Sequence, residues 1–229
     1  MKIKVVPVLD IMNGLIVHAV AGIREKYKPL TNSVLVNTSN PYALLEKLAN
    51  MSFDEIYIAD LDSILGIGEN SNVIYKALSL GFKVLADVGV KGLLMKDSGK
   101  LTMVIGTEYL EKPRDLAELR ERYISLDTFY GKVKFKKKYY SVHDVLNVIK
   151  NIEYKGVIIL FLNAVGTLKG PDTGLAKIVV ENCLSREVAV GGGIRGLEDL
   201  KNLCRVGVNK ALVATSLHKG IVTKPYYYF

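Results

Sequence analysis

Eight short apolar runs, separated by helix-like patterns, constrain this chain more than any other feature. The runs are Ile3–Ile11, Glu55–Leu61, Lys83–Val88, Leu101–Gly106, Arg122–Asp127, Gly156–Leu162, Glu187–Gly191 and Lys210–Ala214. They are continuous Val/Ile/Leu stretches rather than alternating ones, the signature of strands covered on both faces. Between them, helical spacing occupies Pro41–Asn50, Asn72–Leu80, Lys91–Lys96, Arg114–Glu121, Ser141–Ile152, Thr173–Cys183 and Leu197–Val206. Asn40 before Pro41, Ser71 before the second pattern and Ser141 before His143-Asp144 read as helix starts. Strands alternating with helices predict parallel βα units, and eight such units close a barrel of about 250 residues. The 229 residues therefore predict one α/β domain, a (βα)8 TIM barrel. Its eighth helix is stunted, because Ser216–Phe229 contains Gly220 and Pro225 and ends in Tyr-Tyr-Tyr-Phe. Those aromatics are expected to cover the flank where a full helix is missing, or to pack in a dimer contact.

An internal repeat sharpens this picture. Leu9-Asp10 has Gly14 four residues after the Asp, and Leu126-Asp127 has Gly131 at the same spacing. Val90-Lys91-Gly92-Leu93 mirrors Ile194-Arg195-Gly196-Leu197, and Gly106-Thr107 is echoed by Ala214-Thr215. Each echo lies roughly half the chain further on, which predicts two fused half-barrels of four βα units each. Strands one and five then stand on opposite sides of one mouth, with Asp10 facing Asp127.

Composition excludes several classes. Two Cys cannot make a disulfide framework, and two Cys with three scattered His show no zinc-ligand spacing. Cys183 and Cys204 fall in apolar-periodic stretches and read as core thiols. The sequence shows no leader pattern and no run of about 18 apolar residues, so a soluble protein of the reducing cytoplasm is expected. The net charge of +8 fits anionic ligands or simply a lysine-rich surface. The absence of Gln, with many charged residues, points to a hot-living source. Lys132–Tyr140 interleaves bases and aromatics; it reads as a β-ribbon with a solvated lysine face rather than a single-strand nucleic-acid track. His143 and His218 read as surface or capping histidines. Neither nucleic acid nor membrane is expected as a partner, and the chain is expected to be a monomer or homodimer.

The chemistry concentrates at strand ends. Asp10 and Asp127 end the first and fifth strands, at the rim where barrel enzymes keep their reactive groups. Two carboxylates across a substrate divide acid and base work when their environments push their pKa values apart. Gly191-Gly192-Gly193 follows the seventh strand and precedes a helix, so its backbone N–H groups suit a phosphate, with Ala214-Thr215-Ser216 completing the cradle. Asp60, Asp62 and Asp87 line the same rim in this reading. Such a cluster fits Mg²⁺, mutual pKa elevation or a cationic amine; neither metal nor cofactor is expected. His18 is a candidate substrate contact at the mouth.

Val6–Asp10 with Gly14, Ile58–Asp62, Val104–Thr107, Gly166–Pro171 and Val190–Arg195 together resemble the histidine-biosynthesis barrels. These are the phosphoribosylformimino-aminoimidazole carboxamide ribotide isomerase and the cyclase subunit of imidazole glycerol phosphate synthase, and the isomerase is the more similar. The resemblance implies a ribulose-phosphate-binding type of barrel and an Amadori aldose–ketose rearrangement. It assigns acid–base work to Asp10 and Asp127, and phosphate binding to Gly191–Gly193, Ala214–Ser216 and the fourth-strand pair Gly106-Thr107. His18, Asp60 and Asp87 are read from their place at the rim as candidate further substrate contacts. This chain departs from the pattern at three places. Asp87-Val88-Gly89 stands where the family has a glycine triplet, Leu160, Phe161 and Val165 replace polar residues, and His18 replaces a basic one. A paralogue acting on a smaller phosphorylated aminosugar-type metabolite is therefore expected, with one phosphate site and a neutral or cationic far end. A lyase or synthase on another phosphorylated metabolite, or a non-catalytic phosphate-binding barrel, are the alternatives.

Overall fold

The computed structural model describes residues 1–119, 122–183 and 187–229. Eight parallel strands close a ring: Lys2–Met12, Glu55–Asp60, Lys83–Asp87, Leu101–Gly106, Tyr123–Phe129, Gly156–Phe161, Glu187–Gly191 and Lys210–Val213, barrel strands one to eight. Every strand pairs with its sequence neighbours, and the eighth closes on the first with Leu212 opposite Val6. No strand of the ring is left with an open edge along its shared length, and the expected TIM barrel is present with strand ends shifted by one or two residues.

Helices cover the outside unevenly. Pro41–Asn50, Ser71–Ser79, Val142–Ile149, Thr173–Asn182 and Leu197–Arg205 match expected positions. Asn40 Oδ1 accepts the Tyr42 N–H at 2.9 Å and Ser141 Oγ the Asp144 N–H at 3.1 Å, so both caps act as read. Ser71 instead opens its helix, and Asn70 holds the cap position with its side chain turned elsewhere. The helix expected over Lys91–Lys96 is replaced by a 3-10 segment, Gly89–Leu93. A Cβ on Gly92 would sit 3.0 Å from Ile105 Cδ1, and Gly89 adopts φ +65°, so the chain hugs the fourth strand instead of standing off as a helix. Likewise Arg114–Glu121 is a 3-10 segment over Pro113–Glu118, with positions 120 and 121 outside the described residues. The stunted eighth helix is the single turn Thr215–His218.

The half-barrel repeat is visible in the turns. Strand one runs past the barrel into a hairpin through Asn13 and Gly14, both at positive φ (52° and 74°), with Met12 opposite Leu15. Strand five does the same through Tyr130 and Gly131 (47° and 77°), with Phe129 opposite Lys132. Two successive left-handed residues give the tight turn that matches strand twist. The second hairpin grows into the expected ribbon, Lys132–Lys134 against Tyr139–Ser141. Its lysines are largely paired: Lys134 with Glu108, and Lys136 and Lys137 with Glu111.

Strand period two sorts side chains between two cores. Outward residues such as Ile3, Leu9, Ile56, Ile105 and Leu126 pack under the helices, together with buried Cys183 and Cys204. Inward residues form layers along the barrel axis. Val6, Tyr57, Leu85, Val104, Ile158, Ala189 and Leu212 fill the middle. Below them, Lys210 Nζ sits 2.7 Å from Glu55 and 2.8 Å from Glu187, Lys4 reaches Glu55 at 2.8 Å, and Tyr123 hydrogen-bonds Glu187. This charged plug closes the N-terminal end. The same alternation carries Asp10, Asp87 and Asp127 to the opposite end.

The C-terminal aromatics lie against the barrel flank as an added strand. Tyr226–Tyr228 pairs antiparallel with Lys2–Lys4, extending the sheet along the lower part of strand one. Tyr227 packs on the outer core and its hydroxyl accepts the Thr223 N–H at 3.0 Å. Deleting Tyr226–Phe229 should lower Tm by several degrees, because it removes both a strand pairing and a packed ring. Thermal melting with and without these residues checks this; an unchanged Tm would show the tail to be dispensable. No helix among the described residues is long and apolar enough to cross a membrane.

Candidate active site

A cavity of about 270 Å³ opens at the C-terminal end of the strands. That is close to the lower end of the roughly 300–1,000 Å³ of small-molecule sites. Its wall brings together Asp10, Asp87 and Asp127 with Tyr27, Tyr57, Tyr109 and Glu108. Gly191–Gly193 and Ala214–Ser216 line it too. Leu160 and Val165 make its sixth-strand side apolar as expected, with Leu162 beside them, whereas Phe161 points away and packs in the outer core.

The three carboxyls are held differently. Asp10 is half-buried, and no side-chain hydrogen bond to it is found among the described residues. Burial, then the nearby Asp87 charge, push its pKa up to about 7. Asp127 is tightly held: Ser125 Oγ donates to Oδ1 at 2.8 Å, and the Glu108 N–H donates to Oδ2 at 3.1 Å. Burial, then the Glu108 charge, push it up to about 8 despite those donors. Asp87 accepts the Gly89 N–H on Oδ1 at 2.9 Å and the hydroxyls of Tyr57 and Tyr109 on Oδ2 at 3.2 and 3.1 Å. Burial raises it to about 6, with the Gly89 N–H the largest opposing influence. Both tyrosines are driven to higher pKa by burial and Asp87, so they remain donors.

Gly106 and Thr107 serve Asp127 rather than the cavity. A Cβ on Gly106 would stand 2.7 Å from Asp127 Oδ2. Thr107 is fully buried, and its Oγ1 accepts the Asp127 N–H at 3.0 Å. These two residues, expected to help hold a phosphate, are occupied in fixing a carboxylate. Asp60 is also corrected. It is buried, accepting Ser63 N–H, Asn70 N–H and the Asn70 amide, and it does not line the cavity. Asp62 shares the Asn70 amide and accepts the Asn13 N–H, so this acidic pair clamps the first hairpin instead of forming a rim. No group of three His, Cys, Asp or Glu suited to a metal ion occurs among the described residues.

The seventh and eighth strand ends are built by close backbone packing. Gly192 has φ +99°, and a Cβ there would fall 2.5 Å from the Phe161 carbonyl oxygen. Gly193 has φ +77°, and a Cβ would meet Ala164 Cβ at 2.9 Å. Ser216 Oγ is buried and has no partner among the described residues. His18 is exposed beside this cradle, its Nε2 3.5 Å from Thr215 Oγ1, and it is not part of the cavity wall. His218 is not a surface histidine. It is buried behind the cradle with Nδ1 2.9 Å from Ser33 Oγ, and burial, then His18, lower its pKa to about 4.

Sequence reading missed Tyr57, Tyr109, Glu108, Arg24 and Lys134. Glu108 binds Arg24 at 3.4 Å and Lys134 at 2.8 Å, joining the loop after strand one to the ribbon after strand five. Period two places Tyr57 inward two residues before Ala59, a signal that was available. Loop residues 24, 108 and 109 carry no periodicity to read.

An eight-stranded barrel whose opposed halves each carry a buried or half-buried Asp near the C-terminal end of their first strand, with a glycine turn at strand seven, defines a distinct class. Residues 4–223 match the model of the histidine biosynthesis protein family, and the chain belongs to that family. It is 34% identical over 226 residues to an uncharacterised protein of Methanocaldococcus jannaschii, covering 96% of this chain and 95% of that protein. It is 28% identical over 236 residues to a protein of Methanosphaera stadtmanae named 1-(5-phosphoribosyl)-5-((5-phosphoribosylamino)methylideneamino)imidazole-4-carboxamide isomerase, covering 96% and 95% of the two chains. The protein of that same name from Methanocaldococcus jannaschii is 25% identical over 232 residues, covering 95% and 94%.

Proposed function

We propose that this chain is an aldose–ketose isomerase of a phosphorylated aminosugar-type metabolite, a paralogue of the histidine-pathway isomerase. The observation that carries this reading is the pair Asp10 and Asp127, on diametrically opposed strands of one cavity, with pKa values of about 7 and about 8. An Amadori rearrangement needs a proton delivered to the ring oxygen as the sugar opens and one removed from C2, then a proton delivered to C1 as it becomes reduced while the C2 hydroxyl gives up its proton to form the ketone. Groups that titrate near neutrality both give and take protons efficiently. Asp127, hydrogen-bonded by three donors, is the positioned partner; Asp10, without such bonds among the described residues, is the one able to approach the substrate.

The phosphate is assigned to Gly191–Gly193 and Ala214–Ser216. The positive φ of Gly192 and Gly193 turns this backbone along the cavity wall, and the Ser216 hydroxyl, buried there with no partner among the described residues, is a donor in search of an acceptor. Crystals soaked in phosphate or sulfate should show the anion beside Gly192 and Thr215 and none beside Asp87. An anion bound equally at both ends would restore a two-phosphate substrate.

The paralogue reading has separate support. Methanocaldococcus jannaschii has both a protein named as the isomerase, at 25% identity, and the uncharacterised relative at 34%. Apolar Leu160 and Val165 in the cavity wall further distinguish this site. Expression in a strain lacking the histidine-pathway isomerase is therefore expected not to restore growth without histidine. Growth would show that the pathway reaction survives these replacements.

A further inference from the structure

Strand three lies opposite strand seven in the closed barrel, four places round in either direction, so Asp87 and the Gly191–Gly193 cradle occupy opposite sides of the cavity. Four donors an oxyanion could use at the Asp87 side are already engaged among the described residues. The Gly89 N–H, the donor a cradle would present, is bound to Asp87 Oδ1 at 2.9 Å. The space beside Gly89 is filled by Ile64, whose Cα would stand 2.9 Å from a Cβ on Gly89. The neighbouring Glu108 N–H points at Asp127. Arg24 and Lys134, the cations of the wall, both bind Glu108.

The same geometry defines what is welcome there. An ionised carboxylate has about four acceptor sites. On Asp87, Tyr57 and Tyr109 occupy Oδ2 and Gly89 occupies one site on Oδ1. Two phenol donors converging on one oxygen fix the carboxylate as an acceptor and leave Oδ1 with an unfilled site. Asp10, which feels the Asp87 charge and has no hydrogen-bond donor among the described residues, lines the same cavity. With no unpaired cation among the described residues of the wall, a positive ligand group compensates both carboxylates, whereas a phosphate repels them.

We propose that Asp87, fixed by Tyr57, Tyr109 and the Gly89 N–H, is the specificity-determining residue of this cavity and selects a ligand with one phosphate and a protonated amine at its other end. This rests on the phosphate end lying at Gly191–Gly193, as proposed above.

Binding at pH 7 by titration calorimetry tests it, with D-glucosamine 6-phosphate, D-glucose 6-phosphate and D-fructose 1,6-bisphosphate as probes and inorganic phosphate as competitor. Glucosamine 6-phosphate should bind about tenfold tighter than glucose 6-phosphate, the size of one charge-assisted hydrogen bond. The bisphosphate should bind no tighter than glucose 6-phosphate. In Asp87→Asn the amine preference should fall to within about twofold, and the bisphosphate should gain affinity; the wild-type comparisons decide the matter if that variant does not fold. Equal binding of amine and hydroxyl sugars, tightest binding of the bisphosphate, or no binding of any of the three overturns the selection by Asp87. If inorganic phosphate still competes or binds in those cases, the phosphate assignment stands and only the selection fails. Failure of phosphate to bind at all refutes the phosphate assignment and the selection with it.

Discussion

Replacing Asp10 by Asn should lower turnover by at least about 100-fold while making the protein more stable at pH 8. The rate loss is the lower range for a general acid–base group. The stability gain follows from the sign of the pKa shift. A carboxyl raised from 3.8 to about 7 binds more protons folded than unfolded between those values. The native state therefore loses stability as pH rises from about 4 to 7, and the loss is complete above that. Asn carries no such cost, and because Asp10 has no hydrogen-bond partner among the described residues, the swap breaks no contact found there. The gain at pH 8 should be on the order of 1–2 kcal/mol, reduced from the full shift by water at the half-open mouth. At pH 4 it should vanish. Turnover and Tm at both pH values check this; near-full activity of the variant removes Asp10 from acid–base work. Asp127→Asn should lower turnover comparably, but without a clean stability gain, since Ser125 and the Glu108 N–H are matched to a carboxylate.

Lys210→Met should destabilise the chain by about 3 kcal/mol. Lys210 and Glu55 are buried at the barrel floor, and removing one partner of a buried pair strands the other charge. Lys4 remains on Glu55 at 2.8 Å, which keeps the loss at the lower end of the usual 3–5 kcal/mol. For a chain of this length the Tm should drop by roughly 6–12 °C. Calorimetric melting checks the magnitude; a change under 2 °C would mean that the plug fills space without contributing charge pairing. Turnover at 25 °C should change little, because the plug lies at the far end of the barrel from Asp10.

Both variants concern residues in the inward strand register, and that register was the most legible part of the sequence. Continuous apolar runs located all eight strands, and the Leu-Asp-x3-Gly echo located Asp10 and Asp127 on opposed halves. What sequence could not show was the work done by residues with two plausible neighbours. Asp60 and Asp87 look alike as strand-end acids. Period two separates them, since Asp60 falls one place past inward Ala59 and Asp87 is level with it; the Asn70 clamp on the one and the Tyr109 hydroxyl on the other are supplied by loops. His218 lies in a four-residue helix too short for periodicity to show its buried side. The missing third helix had an ordinary helical pattern, overridden by the close approach of Gly92 to strand four.

The glycines near the seventh strand have an engineering consequence. A Cβ on Gly166 would strike the Ala19 carbonyl oxygen, one on Gly192 would strike Phe161, and the Gly170 N–H donates to the Gly193 carbonyl at 2.9 Å. The segments after strands one, six and seven thus touch backbone to backbone, with no side chains between them to absorb a misfit. Loop exchange with a relative cannot proceed one segment at a time here. The unit of transplantation is the whole trio, and a chimera that moves the strand-seven turn alone inherits a seam its neighbours were never cut to fit.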